Sequence, residues 1–366
     1  MKFSLLIIAV LSATLCNAQD CTPQSLIQKN GSWKESPKGS EGGTAAELVK
    51  EKKIVAAMHA MIKTKYSPMG VQANFHGAYN RPYSNMPANS YYYNIMPLNF
   101  YCNGTTVKVA DETSSYFQLG VNMFEAEIYD TAQGDRLLME CFNVMPDIPI
   151  KKDGYWYFGE IDANLGFGMT GKSSMWLITY DDKLPYAYVT RKEFLEKRIK
   201  AITAMQEMAA GGYKDALKNI DIEKSFKEKE FKNDPAKMEQ YMKKEYGVQK
   251  TKYEKLLAEN QKTYAPAFAA IETQLTMPAA ELEQPAIVKI DPKSTFNYLF
   301  TTDDDPFGKV LIKPNPGYFN KKLPRSVPQF FCVYVRANHK EPIAAKFYTD
   351  IIKAVDFNLL KNMLGK

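Results

Sequence analysis

The spacing of apolar positions changes several times along this chain, and each change predicts a different element. The first is an unbroken apolar run, FSLLIIAVLSATL from Phe3 to Leu15, preceded by Lys2. It is too short to span a bilayer, and Cys16-Asn17-Ala18 sets small residues at the positions a signal peptidase reads. Residues 1–18 therefore predict a Sec-type signal peptide, cleaved after Ala18, and a secreted or periplasmic protein. No later stretch reaches the roughly 18 apolar residues of a transmembrane helix, so no transmembrane segment is expected in the mature chain.

Thr44-Ala-Ala-Glu47 makes a capping box, and Leu48, Val55, Met58 and Ile62 follow at helical spacing to about Lys65. From Gly70 to Asp182 the period shortens to two, predicting strands. Asn103-Gly104, flanked by SYYYNIMPLNFYC and TTVKVA, predicts a tight hairpin, because both residues tolerate positive φ. Further strands are expected over Tyr116–Tyr129, Arg136–Val144, Tyr155–Ile161 and Ser174–Tyr180. A second capping box, Thr190-Arg-Lys-Glu193, opens a helical stretch with Leu195, Ile199, Ile202 and Met205 on one face. Gly211-Gly212 predicts a break in it, Asp234-Pro235 a new start, and Gly247 a stop. Another helix carries Tyr253, Leu256, Leu257, Asn260 and Tyr264 to about Leu275. Strands return in AIVKI, TFNYLF, GKVLI and QFFCVYVRA. A last helix from near Pro342 carries Tyr348, Ile352, Val355, Leu359 and Met363.

The pattern predicts an α+β fold: an antiparallel β-sheet body with an N-terminal helix, a long helical insertion and a C-terminal helix packed on the sheet. In residue terms, 19–189 hold the N-terminal helix and β-rich region, and 190–277 the helical insertion or hairpin. Residues 278–366 return to the body.

Composition refines this only in places. Cleavage removes one of five cysteines, leaving Cys21, Cys102, Cys141 and Cys332. None are spaced as a redox or zinc motif, and an oxidising compartment permits disulfides. Cys102 with Cys141 is the favoured pair, since both lie in strand-like segments of one region, and free buried thiols are the alternative. The formal charge is +6, and from Thr190 to Pro266 there are 18 basic and 13 acidic residues. Their signs are interleaved, which describes a solvated helical face rather than a nucleic-acid surface. No nucleic-acid partner is expected.

GFGMTGKS, from Gly166 to Ser173, matches the phosphate-loop pattern through Gly166, Gly171, Lys172 and Ser173. That chemistry needs a helix opening at Lys-Ser, so that free N–H groups face the phosphates. Ser174 to Tyr180 is β-branched and aromatic instead, so no nucleotide site and no cofactor are expected. Three histidines, His59, His76 and His339, fall in no metal or triad pattern. Glu125 with Glu127, and Glu160 with Asp162, would each share one strand face, and two acids on neighbouring strands suit glycoside hydrolysis. The plain alternative is the wet face of a sheet. Asp303, Asp304 and Asp305 offer oxygen ligands to a metal without the spacing of a calcium loop, so no metal site is expected there. The densest feature is aromatic. In Tyr91-Tyr92-Tyr93 the middle ring should take one sheet face and its neighbours the other, and Trp156 and Trp176 can join either face.

The expectation is a non-catalytic exported binding or envelope-associated protein. Its tyrosine-rich β-surface would contact an envelope glycan, peptide or protein. An extracytoplasmic hydrolase using paired carboxylates on a glycan or similar polymer is the alternative.

Overall fold

The computed structural model describes residues 21–36, 42–80, 87–124, 143–145, 149–166, 168–289, 299–302, 304–305 and 308–366. The expected signal peptide, Glu125, Glu127, Cys141 and Asp303 lie outside them, as does most of the strand expected at Arg136–Val144. The chain divides into two compact units. The first comprises Met1–Glu127, Asp147–Tyr186 and Pro314–Lys366, the second Ile128–Pro146 and Ala187–Lys313.

The first unit is a sheet with helices on one face. Helix α1 (Pro23–Ile27) is followed by β1 (Ser32–Glu35), α2 (Ala45–Lys65), β2 (Val71–Ala78), β3 (Tyr91–Asn103), β4 (Thr106–Val109) and β5 (Tyr116–Val121). The second segment adds β7 (Ile150–Lys152), β8 (Tyr155–Gly166) and β9 (Met169–Ile178), and the last adds β14 (Phe331–Ala337), α7 (Pro342–Ala354) and α8 (Phe357–Met363). The order across the sheet is β1-β2-β3-β5-β14-β9-β8-β7, with β4 paired to β3. All pairs are antiparallel except β1 with β2. Asn103-Gly104 turns β3 into β4, with Gly104 at φ 63.

The capping box at Thr44 forms as read, the Thr44 side chain accepting from Glu47 N–H while Glu47 accepts from Thr44 N–H. From there α2 buries Ile54, Val55, Met58, Met61 and Ile62 against Tyr91, Tyr93, Ile95, Phe117, Leu119, Val333 and Val335. Helix α7 completes this core with Phe347, Ile351 and Ala354, and Tyr348 and Ile352 flank it. The single C-terminal helix expected from the stripe is two, because Val355 and Asp356 are extended and the Asp356 side chain caps α8 at Leu359 N–H.

The second unit holds a helical hairpin and its own sheet. Helix α3 (Arg191–Glu230) runs through Gly211-Gly212 without the expected break. Two glycines cost a helix about 2 kcal/mol, and α3 runs on because it packs along the second helix of the hairpin, with Tyr213 against Tyr253. A short α4 (Pro235–Tyr241), capped by Asp234, and a π-helical turn (Met242–Tyr246) lead into α5 (Gly247–Leu275). Gly247 thus begins a helix rather than ending one. After α6 (Ala279–Leu282) come β11 (Ile287–Lys289), β12 (Leu299–Phe300) and β13 (Gly308–Pro314). These strands do not rejoin the first sheet. They pair with each other, with β6 (Asn143–Met145) and with β10 (Tyr186–Tyr188). Phe194, Leu195, Ile202, Ala267, Ile271, Val288 and Leu311 form the core beneath them.

The disulfide joins Cys21 to Cys102, Cα atoms 5.7 Å apart, and not Cys102 to Cys141. Closeness along the chain suggested the wrong partner. Helix α1 lies against the far end of β3, where Leu26, Val71, Phe100 and Ile343 pack around both cysteines. Cys332 is a buried thiol on β14.

Candidate functional site

Strand alternation gives the first sheet two chemically different faces. Tyr91 and Tyr93 point to the helices and are buried there. The Tyr91 hydroxyl donates to Ser326 C=O at 2.8 Å, and the Tyr93 hydroxyl lies 2.8 Å from His59 Nδ1. Trp176 is on the same side, stacked on Tyr157 with Phe357 at its edge. Of these three expected ligand-binding aromatics, Tyr91 and Tyr93 are core residues and Trp176 is half-buried against that core.

Tyr92 and Trp156 lie on the opposite face. One row across the strands there reads Tyr92, Gly120, Cys332, Leu177, Trp156. The two aromatics sit four strands apart, about 19 Å at ordinary strand spacing. The adjacent row reads His76, Asn94, Gln118, Tyr334, Met175. Another contains Tyr116, Arg336, Ser173 and Ile161. The Arg336 guanidinium lies 4.5 Å from the Tyr116 ring centroid, and its Nε donates to Ser114 C=O.

A sheet face that merely met water would carry exposed charges. This one carries mainly amides, hydroxyls and aromatic rings, and its charges include Arg336 over the Tyr116 ring and Lys151 over the Trp156 ring. Asn94, Gln118, Ser173 and Tyr334 are buried, while His76, Tyr92, Tyr116, Trp156 and Arg336 are half-buried. Asn94 Oδ1, Ser173 Oγ and Trp156 Nε1 are buried without a hydrogen-bond partner among the described residues. Orphaned polar atoms of this kind are uncommon, because each costs its full desolvation. The arrangement can accept and donate hydrogen bonds to an uncharged polar group while offering it aromatic surface.

The paired acids have a different setting. Glu160 and Asp162 lie on β8 opposite Ser174 and Lys172 of β9. Lys172 reaches Asp162 at 2.9 Å and Glu160 at 3.9 Å, and Tyr348 donates to Glu160 at 3.3 Å. The Lys172 hydrogen bond and charge hold the Asp162 carboxyl below the usual carboxylate range. A general acid needs the reverse. The residues of GFGMTGKS connect β8 to β9, with Gly166 at φ 84, and strand runs on through Lys172 and Ser173 to Ile178. The helix of a phosphate loop is replaced by sheet. Gly171 is required by crowding, since a Cβ there would lie 2.4 Å from Ala337 O. Asp304 and Asp305 accept hydrogen bonds from Thr302 and Thr301, and no cluster of metal-ligating side chains occurs among the described residues.

Sequence reasoning passed over Glu51, which has no exposed surface. It sits one turn after Glu47 on α2, at a position an apolar stripe would fill. Asn89 Nδ2 donates to Glu51 Oε1 at 3.0 Å and to Glu47 Oε1 at 3.1 Å, and Asn80 N–H donates to Glu51 Oε2 at 3.0 Å. Burial raises the Glu51 carboxyl, the amide donors offset part of that, and the nearby Glu47 charge adds to it. An acid raised in the folded state contributes fully below its unfolded value and loses that contribution as pH climbs through the folded one. Wild type should therefore lose stability relative to Glu51→Gln as pH rises above the ordinary glutamate value of about 4.3. Calorimetry of both proteins across that rise checks this, and a constant difference would refute it.

Compared with models of protein families, with curated proteins and with solved structures, the chain finds no match.

Proposed function

We propose that this is an exported, non-catalytic binding protein whose contact surface is the sheet face opposite α2 and α7, and whose ligand is an uncharged polar molecule of the glycan class. The observation that carries the reading is the set of orphaned buried polar atoms, Asn94 Oδ1, Ser173 Oγ and Trp156 Nε1, on one face already lined with tyrosines. Sugars present hydroxyls and an apolar ring face together, which amides and aromatic rings complement. Export is supported by the Lys2 and Phe3–Leu15 segment and by the Cys21–Cys102 bond, which persists in oxidising compartments. No helix among the described residues is long and apolar enough to cross a membrane.

Thermal shift of the mature chain with neutral oligosaccharides tests this, with peptides and magnesium-ATP alongside. A ligand bound only to the native state raises the melting temperature by mass action. The expected result is a shift with an oligosaccharide that Asn94→Ala and Gln118→Ala each reduce at least about tenfold in affinity, equivalent to about 1.4 kcal/mol, and that Glu160→Gln leaves intact. A shift confined to magnesium-ATP, or turnover that Glu160→Gln abolishes, would overturn the reading.

A further inference from the structure

Helix α3 presents one face that nothing in the described chain covers. Its other face meets α5: Ile220 is buried, Asn260 Nδ2 donates to Gln206 C=O, Tyr213 contacts Tyr253, and Asp221 accepts from Tyr246 and Lys250. About half a turn away, at 100° per residue, Ala204, Met208, Gly211, Asp215, Lys218, Ile222, Ser225 and Lys229 fall in one stripe with alternating steps of four and three. Phe226 borders it. Met208, Ile222 and Phe226 are 68%, 45% and 64% exposed. Neither Asp215 nor Lys218 makes an ion pair among the described residues, and a Cβ on Gly211 would meet nothing within 4 Å.

Read in the opposite direction, the stripe complements itself. About a midpoint between Asp215 and Lys218, an antiparallel copy sets Asp215 against Lys218, Gly211 against Ile222, and Met208 against Ser225 with Phe226 beside it. A carboxylate meets an ammonium, a position without a side chain meets a branched one, and a thioether meets a ring. Each contact occurs twice, as a two-fold axis requires. The stripe is about 38 Å long at helical rise. We propose that this face of α3 is a self-association surface, and that its partner is the same stripe on a second copy of the chain, paired antiparallel.

The surface belongs to the second unit and does not depend on the ligand reading above. Sedimentation velocity of the full mature chain over about a hundredfold range of concentration tests it, with far-UV circular dichroism showing that each variant keeps its helices. Wild type is expected to pass from one copy to two as concentration rises. Asp215→Lys and Lys218→Asp each place two like-charged pairs at the axis and should weaken association about tenfold or more. The double variant Asp215→Lys with Lys218→Asp restores both pairs with reversed sign, and with them wild-type association. Phe226→Asp should also weaken it, whereas Val248→Asp, on the outward side of α5, should leave it unchanged. Wild type that stays monomeric throughout overturns the proposal, as does a dimer indifferent to the single charge reversals or not restored by the double one.

Discussion

Replacing Cys21 and Cys102 together by serine will lower the stability of the first unit by about 4–5 kcal/mol. The bond spans 81 residues of sequence. Cutting it frees a long loop in the unfolded chain, and the entropy restored there is larger than for any short cross-link. The folded state also loses its hold on α1, whose Leu26 shares a small core with Val71, Phe100 and Ile343. That core is separate from the one beneath α2, so α1 is held by it and by the disulfide, while β1 just beyond is held by its pairing with β2. Urea denaturation followed by tryptophan fluorescence will show the loss as a lower midpoint, and adding reductant to wild type should reproduce it. Serine at both positions leaves Cys141 and the buried Cys332 as thiols, so the variant is measured with and without reductant as the control. An unchanged midpoint in both experiments would mean that the unfolded chain gains no freedom from losing the bond.

The second large effect is expected at Asn122. This residue is fully buried just after β5 at φ 52, a conformation Asn tolerates better than most side chains. Its Nδ2 donates to Asn89 C=O at 3.1 Å and Val327 C=O at 3.0 Å, while its Oδ1 accepts from Gln329 N–H at 2.7 Å and Phe330 N–H at 3.3 Å. One amide thus satisfies four backbone groups from two other segments. Asn122→Ala abandons all four in a buried place, where each costs about 1–3 kcal/mol. Allowing for relaxation, a loss of at least about 3 kcal/mol is expected. Asn122→Asp keeps the acceptor but turns the donor end into a second acceptor facing two carbonyls. It should be nearly as damaging at neutral pH and partly recovered in acid, where a protonated carboxyl can donate. Hydrogen exchange at the Gln329 and Phe330 amides gives a local reading, and unaltered protection in Asn122→Ala would refute the assignment.

Much of the fold was legible because it rests on local rules. Thr44 and Glu47 carry their capping partners three residues away, Asn103-Gly104 carries its own turn, and Tyr91-Tyr92-Tyr93 declares its alternation. What was not legible depends on residues far apart in sequence. The strands after Ile287 look like any returning strands, and only their partners show that they build a second sheet. Gly211-Gly212 reads as a break until α5 is seen alongside. Cys102 gave no sign that its partner was Cys21, 81 residues before it. The candidate site follows the same division. Strand parity set Tyr92 on the face opposite Tyr91 and Tyr93, but which face Trp156 joins, and the row of Asn94, Gln118 and Tyr334, depend on a register that no single strand encodes. Glu51 and Asn122 were passed over because a buried acid or amide resembles a surface one until its neighbours are known.

The place of β14 in the sheet has a consequence for the order in which the protein can be built. It lies in the middle, between β5 and β9, yet it begins at Phe331, long after both have been synthesised. Until it arrives, β5 and β9 are edges of two unjoined ribbons, and the core facing α2 lacks Phe331, Val333 and Val335. Contacts of such wide sequence separation close slowly. The ribosome will therefore have made the chain through β14 before the sheet of the first unit can close, so that unit folds only once its synthesis is nearly finished.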